Sequence, residues 1–397
     1  MTYNTTNLWE LLEKEPHNHY FWTELVRVAE DSKNFEGIAK VYRGFLEKFP
    51  LLHIYWNKLA IFLYENGPDN SVKDSIEVFE QSVKQGVLYH SAEMWQCYCT
   101  FATESCNIEL GQDGVRDILE RAVTAVGGDY QSDTIWSTYI QWENNNHNFD
   151  NVSALYMRVL SQPVRHLETF LENLLEHAKI CSIEKAASPI EKAQIDDQVN
   201  REAENDIIKA GDIDRRMTEL ILEKRQQSYL QTAEAINKRQ YFENKIRRTY
   251  FHFTRPNPIQ IANWYQYIEF ETISGDVQRT QHLYERCLIP CQMCPNIWIN
   301  YATFLYSIGK VSEAEELLEQ RAFNGLVGMD VEFLRLYGMF EESNENLQKA
   351  NIIFEKINDE MTKPNGRFFN SGSARIALSS YYLRHAELQD RAIPVLV

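Results

Sequence analysis

Tryptophan recurs along this 397-residue chain in a setting that repeats with it. Trp22, Trp56, Trp95, Trp136, Trp264 and Trp298 each open an amphipathic helical stretch, and each is followed by a second stretch carrying a hexapeptide. The hexapeptides read VYRGFL (41–46), VFEQSV (78–83), ILERAV (118–123), LYMRVL (155–160), LYERCL (283–288) and LLEQRA (317–322). A seventh, IFEKIN (353–358), follows a helix in which Leu334 takes the place of the tryptophan. Anchor and hexapeptide are 19 residues apart in five units: 22 to 41, 136 to 155, 264 to 283, 298 to 317 and 334 to 353. The other two, 56 to 78 and 95 to 118, are longer, with Gly67-Pro68 in one turn and Gly111 and Gly114 in the other. A fixed period of this length predicts a helix–turn–helix unit repeated at least seven times.

Side-chain geometry says why the units must stack. Trp136 is followed by Tyr139 and Ile140, and Trp264 by Tyr267 and Ile268; spacings of three and four share one helix face. In the second helix Leu155 with Val159, and Leu283 with Cys287, recur at a spacing of four and pack back on the first. Tyr42, Tyr156 and Tyr284 hold the second hexapeptide position and join the tryptophans as core anchors. Each large side chain gains roughly 1.5–3 kcal/mol on burial. A unit of ~34 residues is nonetheless too small to fold alone, so neighbours must supply a continuous core. The fold class expected is therefore all-α, a helical-repeat solenoid. Pro50, Pro163 and Pro290 fall just after hexapeptides, where a helix should stop, and Gly37, Gly275 and Gly309 lie in or near the turns.

Glycine (16) and proline (11) are scarce enough for long helices. A formal charge of -17 disfavours nucleic acid wrapped over the whole surface and leaves protein partners as the default. Seven cysteines without a framework read as reduced thiols of the cytosol or nucleus. The first ten residues show no secretory signal, and no apolar run approaches the ~20 residues of a membrane helix.

The period lapses between Pro163 and Trp264. Leu167 to Ile183 still reads as a helix, with Leu171, Leu174, Leu175 and Ala178 on one face. Glu184 to Arg248 is charged and predicts one or two long helices broken near Gly211, with partial disorder around Ser188 to Glu204. The organisation expected is a repeat block of about four units over 1–165, a charged and partly flexible helical bridge over 166–255, and a block of about three and a half units over 256–397. The last helix, with Ala377, Leu378, Tyr381 and Tyr382, reads as the start of an eighth unit; an uncapped terminal repeat would expose an apolar face.

The anchor W-x-x-Y with a Tyr-Glu-Arg second helix resembles the HAT (half-a-TPR) repeat; Trp264-Tyr267-Glu269-Glu271 with Leu283-Tyr284-Glu285-Arg286 is a full copy. FENKIRRTYFHF (242–253), NWYQYIEFETISGD (263–276), LYERCLIPC (283–291) and KFPLLHIYWNKLA (48–60) are similar to the pre-mRNA-processing factor 39 family. That resemblance implies a nuclear, non-catalytic scaffold of pre-mRNA splicing, associated with the U1 small nuclear ribonucleoprotein (snRNP) and 5′ splice-site recognition through protein–protein contacts. It also implies partners among U1 proteins and splicing factors, and a homodimer or a heterodimer with a related HAT protein. The alternatives are a HAT scaffold of mRNA 3′-end cleavage or ribosomal RNA processing, or direct RNA binding.

Motifs with chemistry of their own are few. Cys287, Cys291 and Cys294 have the spacing of an iron–sulfur loop, but Cys287 fills the small-residue slot of a hexapeptide, so buried thiols at a helix end are the reading preferred. Neither Cys97-x-Cys99 with Cys106 nor the ten dispersed histidines has the pattern of a zinc site. Phosphate-cradling glycine loops and nucleophile elbows are absent from the sequence, so neither catalysis nor a cofactor is expected. Acidic pairs such as Glu315-Glu316 and Glu341-Glu342 are expected on solvated faces. One basic stretch stands out: Lys238, Arg239, Lys245, Arg247, Arg248 and Arg255 against Glu243 alone, interleaved with Tyr241, Tyr250 and Phe251. It is the candidate contact for RNA or an acidic peptide, and otherwise a solvated helix that packs by its aromatics.

Overall fold

The computed structural model describes residues 5–32, 34–67, 72–84, 86, 88–181, 183, 187–204, 209, 212–364 and 366–396, and among these there is no β-strand. Two compact units divide the chain, Met1–Tyr250 and Phe251–Val397.

In the first unit α1 (Thr5–Lys14) packs on the first of four helix pairs. The pairs are α2 (His19–Ser32) with α3 (Phe35–Lys48), α4 (His53–Asn66) with α5 (Val72–Ser82), α6 (Ala92–Ser105) with α7 (Asn107–Val126), and α8 (Asp133–Asn145) with α9 (Phe149–Val159). Then come α10 (Leu167–His177), which packs on α9, α11 (Pro189–Glu204) and α12 (Ile213–Glu243). The second unit pairs α13 (Pro258–Ser274) with α14 (Val277–Leu288), α15 (Pro295–Ser307) with α16 (Val311–Glu316), and α17 (Val331–Ser343) with α18 (Leu347–Thr362). It ends in α19 (Gly372–Arg384) and the short α20 (Ala392–Leu396). In several places the first helix of a pair also packs on the first helix of the next: α4 on α6, α6 on α8 and α15 on α17. This is the stacking of an all-α helical-repeat solenoid.

All six anchor tryptophans are buried, as are Leu334, Tyr42, Tyr156 and Tyr284. In six of the seven pairs the anchor is the fourth residue of its helix, and in the five with a tryptophan there this sets the indole over the turn that precedes it. Four indole N–H groups donate to a backbone carbonyl six residues back: Trp22 to Pro16, Trp56 to Pro50, Trp95 to Tyr89 and Trp298 to Gln292, at 2.7–3.0 Å. Trp136 reaches Gly127 at 2.9 Å. Each ring thus fills the core with its face and satisfies a turn carbonyl with its edge. The second hexapeptide position closes the next interface. Phe79 stacks on Tyr98 at 4.9 Å between centroids, Tyr284 on Tyr301 at 4.7 Å and Phe354 on Tyr381 at 4.0 Å.

Turn chemistry follows the same register. The residue eleven places after the anchor is left-handed in four units: His147 (φ 59°), Gly275 (φ 80°), Gly309 (φ 80°) and Glu345 (φ 64°). Gly37 lies beside the turn, in the first turn of α3, where its N–H donates to the capping side chain of Asn34, and it is not left-handed. Gly111 (φ 67°) kinks α7, which absorbs the longer turn of that unit, while Pro68 lies outside the described residues.

The sixth unit holds an irregularity the hexapeptide reading does not foresee. After α16 the chain runs through a π-helical turn, Leu317–Phe323. Its arginine lies one residue farther from the anchor (298 to 321) than in the unit before (264 to 286). The wider turn absorbs that residue, and Arg321 lies over Trp298 at 5.8 Å as Arg286 lies over Trp264 at 5.6 Å.

The bridge region also differs in part from expectation. Ser188 to Glu204, expected to be partly disordered, contains α11. Its mean hydropathy is low, but Ile195 and Val199, four residues apart, are buried, and Arg225 and Arg216 of α12 pair with Glu191 and Glu202. Gly211, where a break was expected, lies outside the described residues.

Candidate interaction surface

Most charged groups at the repeat interfaces are already engaged with one another. At the third hexapeptide position, Glu80 accepts from Tyr98 (2.6 Å) and Arg121 of the following pair. Glu120 accepts from Tyr139 (2.8 Å) and Arg158 (2.7 Å), and Glu285 from Arg321 through two bonds of 2.7 Å. Each arginine also lies over its own anchor ring, Arg121 on Trp95 at 5.9 Å and Arg158 on Trp136 at 5.5 Å. Burial pushes the Glu80 and Glu120 carboxyls up, yet hydrogen bonds from arginine and tyrosine bring both below the ordinary carboxylate range. Burial and the same carboxylates push the Tyr98 and Tyr139 hydroxyls far up. These groups serve as braces between repeats.

Glu341 corrects the expectation of a solvated acidic face. It is 1% exposed, and Asn346 donates to it at 3.0 Å with Lys349 at 3.6 Å. Glu143 stands at the same place, seven residues after its anchor, and takes Arg116 (2.6 Å), Asn148 (2.7 Å) and Asn151 (3.2 Å). A carboxylate with this many donors tolerates burial, and it ties the end of the first helix to the start of the second. The signal was present in sequence as Glu143, Glu271 and Glu341 at one repeat position.

Several basic side chains of this stretch already have local partners. Lys238 pairs with Glu234 at 2.8 Å, the guanidinium of Arg239 donates to the Ala235 carbonyl, and the Lys245 ammonium sits 3.8 Å from the Tyr241 ring centre. Arg247 is exposed and Arg248 half-buried, between the buried Ile246 and Phe251. The segment is held to the repeats by Thr249, which donates to Glu93, and by Tyr250 against His53. Arg255 belongs to the second unit and pairs there with Asp330. Cys287, Cys291 and Cys294 are buried at the end of α14. No group of three or more potential metal ligands occurs among the described residues. No helix among them is long and apolar enough to cross a membrane.

A cleft of about 330 Å³, which sequence reasoning missed, opens between α8, α9 and α10. Helix α8 presents Ser137, Gln141 and Asn144 along one face, with Ile140 beneath. Val152 and Tyr156 of α9 and Phe170 of α10 complete a buried apolar floor. Asn173 and His177 close the far side, and His177 shares a 2.8 Å hydrogen bond with Ser153. Burial lowers the His177 pKa, which favours the neutral imidazole.

Comparison with known proteins gives this architecture its family. The pattern of the PRP39 N-terminal HAT repeat matches residues 6–176, and that of the PRP39 C-terminal HAT repeat matches residues 237–369. The chain belongs to the PRP39 HAT-repeat family. The unmatched stretch between them, 177–236, holds α11 and most of α12. Among family members, the chain is 29% identical over 368 residues to pre-mRNA-processing factor 39 of Schizosaccharomyces pombe, covering 87% of this chain and 59% of the relative. The Homo sapiens protein of that name is 27% identical over 376 residues, covering 88% and 55%. Pre-mRNA-processing factor 39-2 of Arabidopsis thaliana is 30% identical over 315 residues, covering 72% and 29%. The chain spans about half the length of the curated relatives it matches.

Proposed function

We propose that this chain is a non-catalytic scaffold of pre-mRNA splicing, working in the nucleus and associated with the U1 snRNP through protein–protein contacts. The observation that carries the reading is the match of both repeat families over most of the chain, with relatives named pre-mRNA-processing factor 39. Side-chain chemistry supports it. The half-buried carboxylates and arginines of the repeats, with their tyrosines, are engaged in braces, and the −17 charge suits protein partners better than a phosphate backbone. Partners in this reading are U1 proteins and other splicing factors, met by the chain as a homodimer or beside a related HAT protein.

The test is affinity purification of the tagged full chain from nuclear extract, with U1, U2 and U4 small nuclear RNAs quantified in the eluate. Enrichment of U1 over U2 and U4 is the expected result. Equal recovery of all three, or enrichment of cleavage-factor or ribosomal precursor RNA instead, would replace this reading by another HAT assembly.

A further inference from the structure

We propose that the cleft between α8, α9 and α10 binds an extended, uncharged segment of a partner protein, gripping its main chain with Gln141, Asn144 and Asn173 and taking one apolar side chain onto the floor. This inference rests on the scaffold reading above and names the chemistry of one contact.

Charge is the first support. Residues with full charges make up 24% of the chain, whose net charge is -17. None of the residues lining the cleft is Asp, Glu, Lys or Arg. A neutral wall in so charged a molecule complements a segment without charge. It offers nothing to a phosphate backbone, which needs cations, and nothing to a basic tail, which needs carboxylates.

The type of polar group is the second. Gln141, Asn144 and Asn173 are exposed on the rim, and each amide carries a donor and an acceptor side by side. That pairing matches the N–H and C=O of a peptide unit. A helical partner has spent those groups on its own ladder, whereas an extended one still presents them. Gln141 and Asn144 are three residues apart on one helix face, with Asn173 across the cleft, so the amides line both sides of a path.

Apolar depth is the third. Ile140, Val152, Tyr156 and Phe170 are each less than a tenth exposed and form the base of the cleft. At about 330 Å³ it lies at the small end of ligand pockets, which run ~300–1,000 Å³, so it suits a single Leu-, Met- or Phe-sized side chain better than a cofactor.

The experiment pans a phage library of linear dodecapeptides on the full chain, then titrates the enriched peptides by fluorescence anisotropy. The expected consensus is one aliphatic or aromatic residue flanked by uncharged positions. Asn144→Ala/Asn173→Ala, and separately Ser137→Arg to fill the cleft, should each weaken binding at least tenfold with an unchanged melting curve. N-methylation of a main-chain amide beside the apolar residue should weaken it as much. Several outcomes overturn the proposal: no enrichment, a charged or amphipathic-helical consensus, equal binding by both variants, or indifference to N-methylation. Loss of a 12-nucleotide RNA's binding in the same variants would also overturn it, in favour of nucleic acid. Recovery of U1 snRNA with the wild-type chain reads the scaffold independently, so the two can fail separately.

Discussion

Glu120 of the third repeat takes two hydrogen bonds from the guanidinium of Arg158 in the fourth, at 2.7 and 3.0 Å. Arg158 spreads at the same time over Trp136, and Tyr139 donates to the same carboxylate. One arginine therefore links the carboxylate of one unit to the tryptophan of the next. The Glu80–Arg121 and Glu285–Arg321 pairs repeat the arrangement. Both ends of the Glu120–Arg158 pair are about two-fifths exposed, so screening limits the ion pair to roughly 0.5–1 kcal/mol, with a similar amount from the ring contact. Arg158→Met keeps the stem over Trp136 and should cost about 1 kcal/mol in urea unfolding. In a double-mutant cycle with Glu120→Gln, about half of that loss should appear as coupling; additive losses would mean the brace does not hold the repeats together.

Acid should weaken the same contacts. The folded-state pKa values of Glu80 and Glu120 are depressed, so their contribution is present above the ordinary carboxylate value of ~4.3 and is lost as pH falls through the folded values. Glu80→Gln/Glu120→Gln should therefore be less stable than wild type at pH 7 and lose less stability between pH 5 and pH 3. Parallel urea midpoints for the two proteins across that range would contradict this.

The π-helical turn makes an unusual forecast. Gln320 is exposed, and deleting it turns LLEQRA into LLERA, with arginine at the fourth position as in LYERCL. The helix can then continue as a regular α-helix while its arginine still meets Trp298. The deletion should keep cooperative unfolding with Tm within ~4 °C of wild type. Loss of a single cooperative transition would show that the bulge is required by the fold.

Glu345 holds a left-handed turn position that glycine fills in two sister units. A side chain costs ~1–2 kcal/mol there, offset in part by the extra freedom of glycine in the unfolded chain. Glu345→Gly should stabilise by ~0.5–1 kcal/mol, and Gly309→Ala should destabilise by about 1 kcal/mol. Calorimetric melts of the two variants decide it, and shifts of the opposite sign would refute the turn assignment.

Arg247 and Arg248 separate the two binding readings. Reversing both charges should weaken association with the ribonucleoprotein if the stretch touches RNA or an acidic peptide, and the loss should grow smaller as salt rises. Association that is unchanged and indifferent to salt would leave the stretch a structural segment fixed by Ile246, Phe251 and the Thr249–Glu93 bond.

The solenoid was legible because a buried tryptophan and a hexapeptide must return at one interval for helix pairs to stack, and all six tryptophans are buried. Glu341 misled because charge in a helix suggests solvent, and only the fold brings Asn346 and Lys349 to meet it. The π-helical turn stayed hidden because LLEQRA still aligns at its apolar start. Helix α11 was underrated because its two buried apolar residues, Ile195 and Val199, carry little periodic signal among charges. The cleft had no motif at all. Its residues come from three helices, and amides on a rim look in sequence like any polar surface.

The most direct measurement of a protein-held scaffold is the retention of U1 proteins on the tagged full chain after ribonuclease digestion. Protein-to-protein contact predicts that U1 proteins stay bound while U1 snRNA is lost from the eluate. Release of those proteins together with the RNA would contradict it, since the chain would then be tethered through nucleic acid.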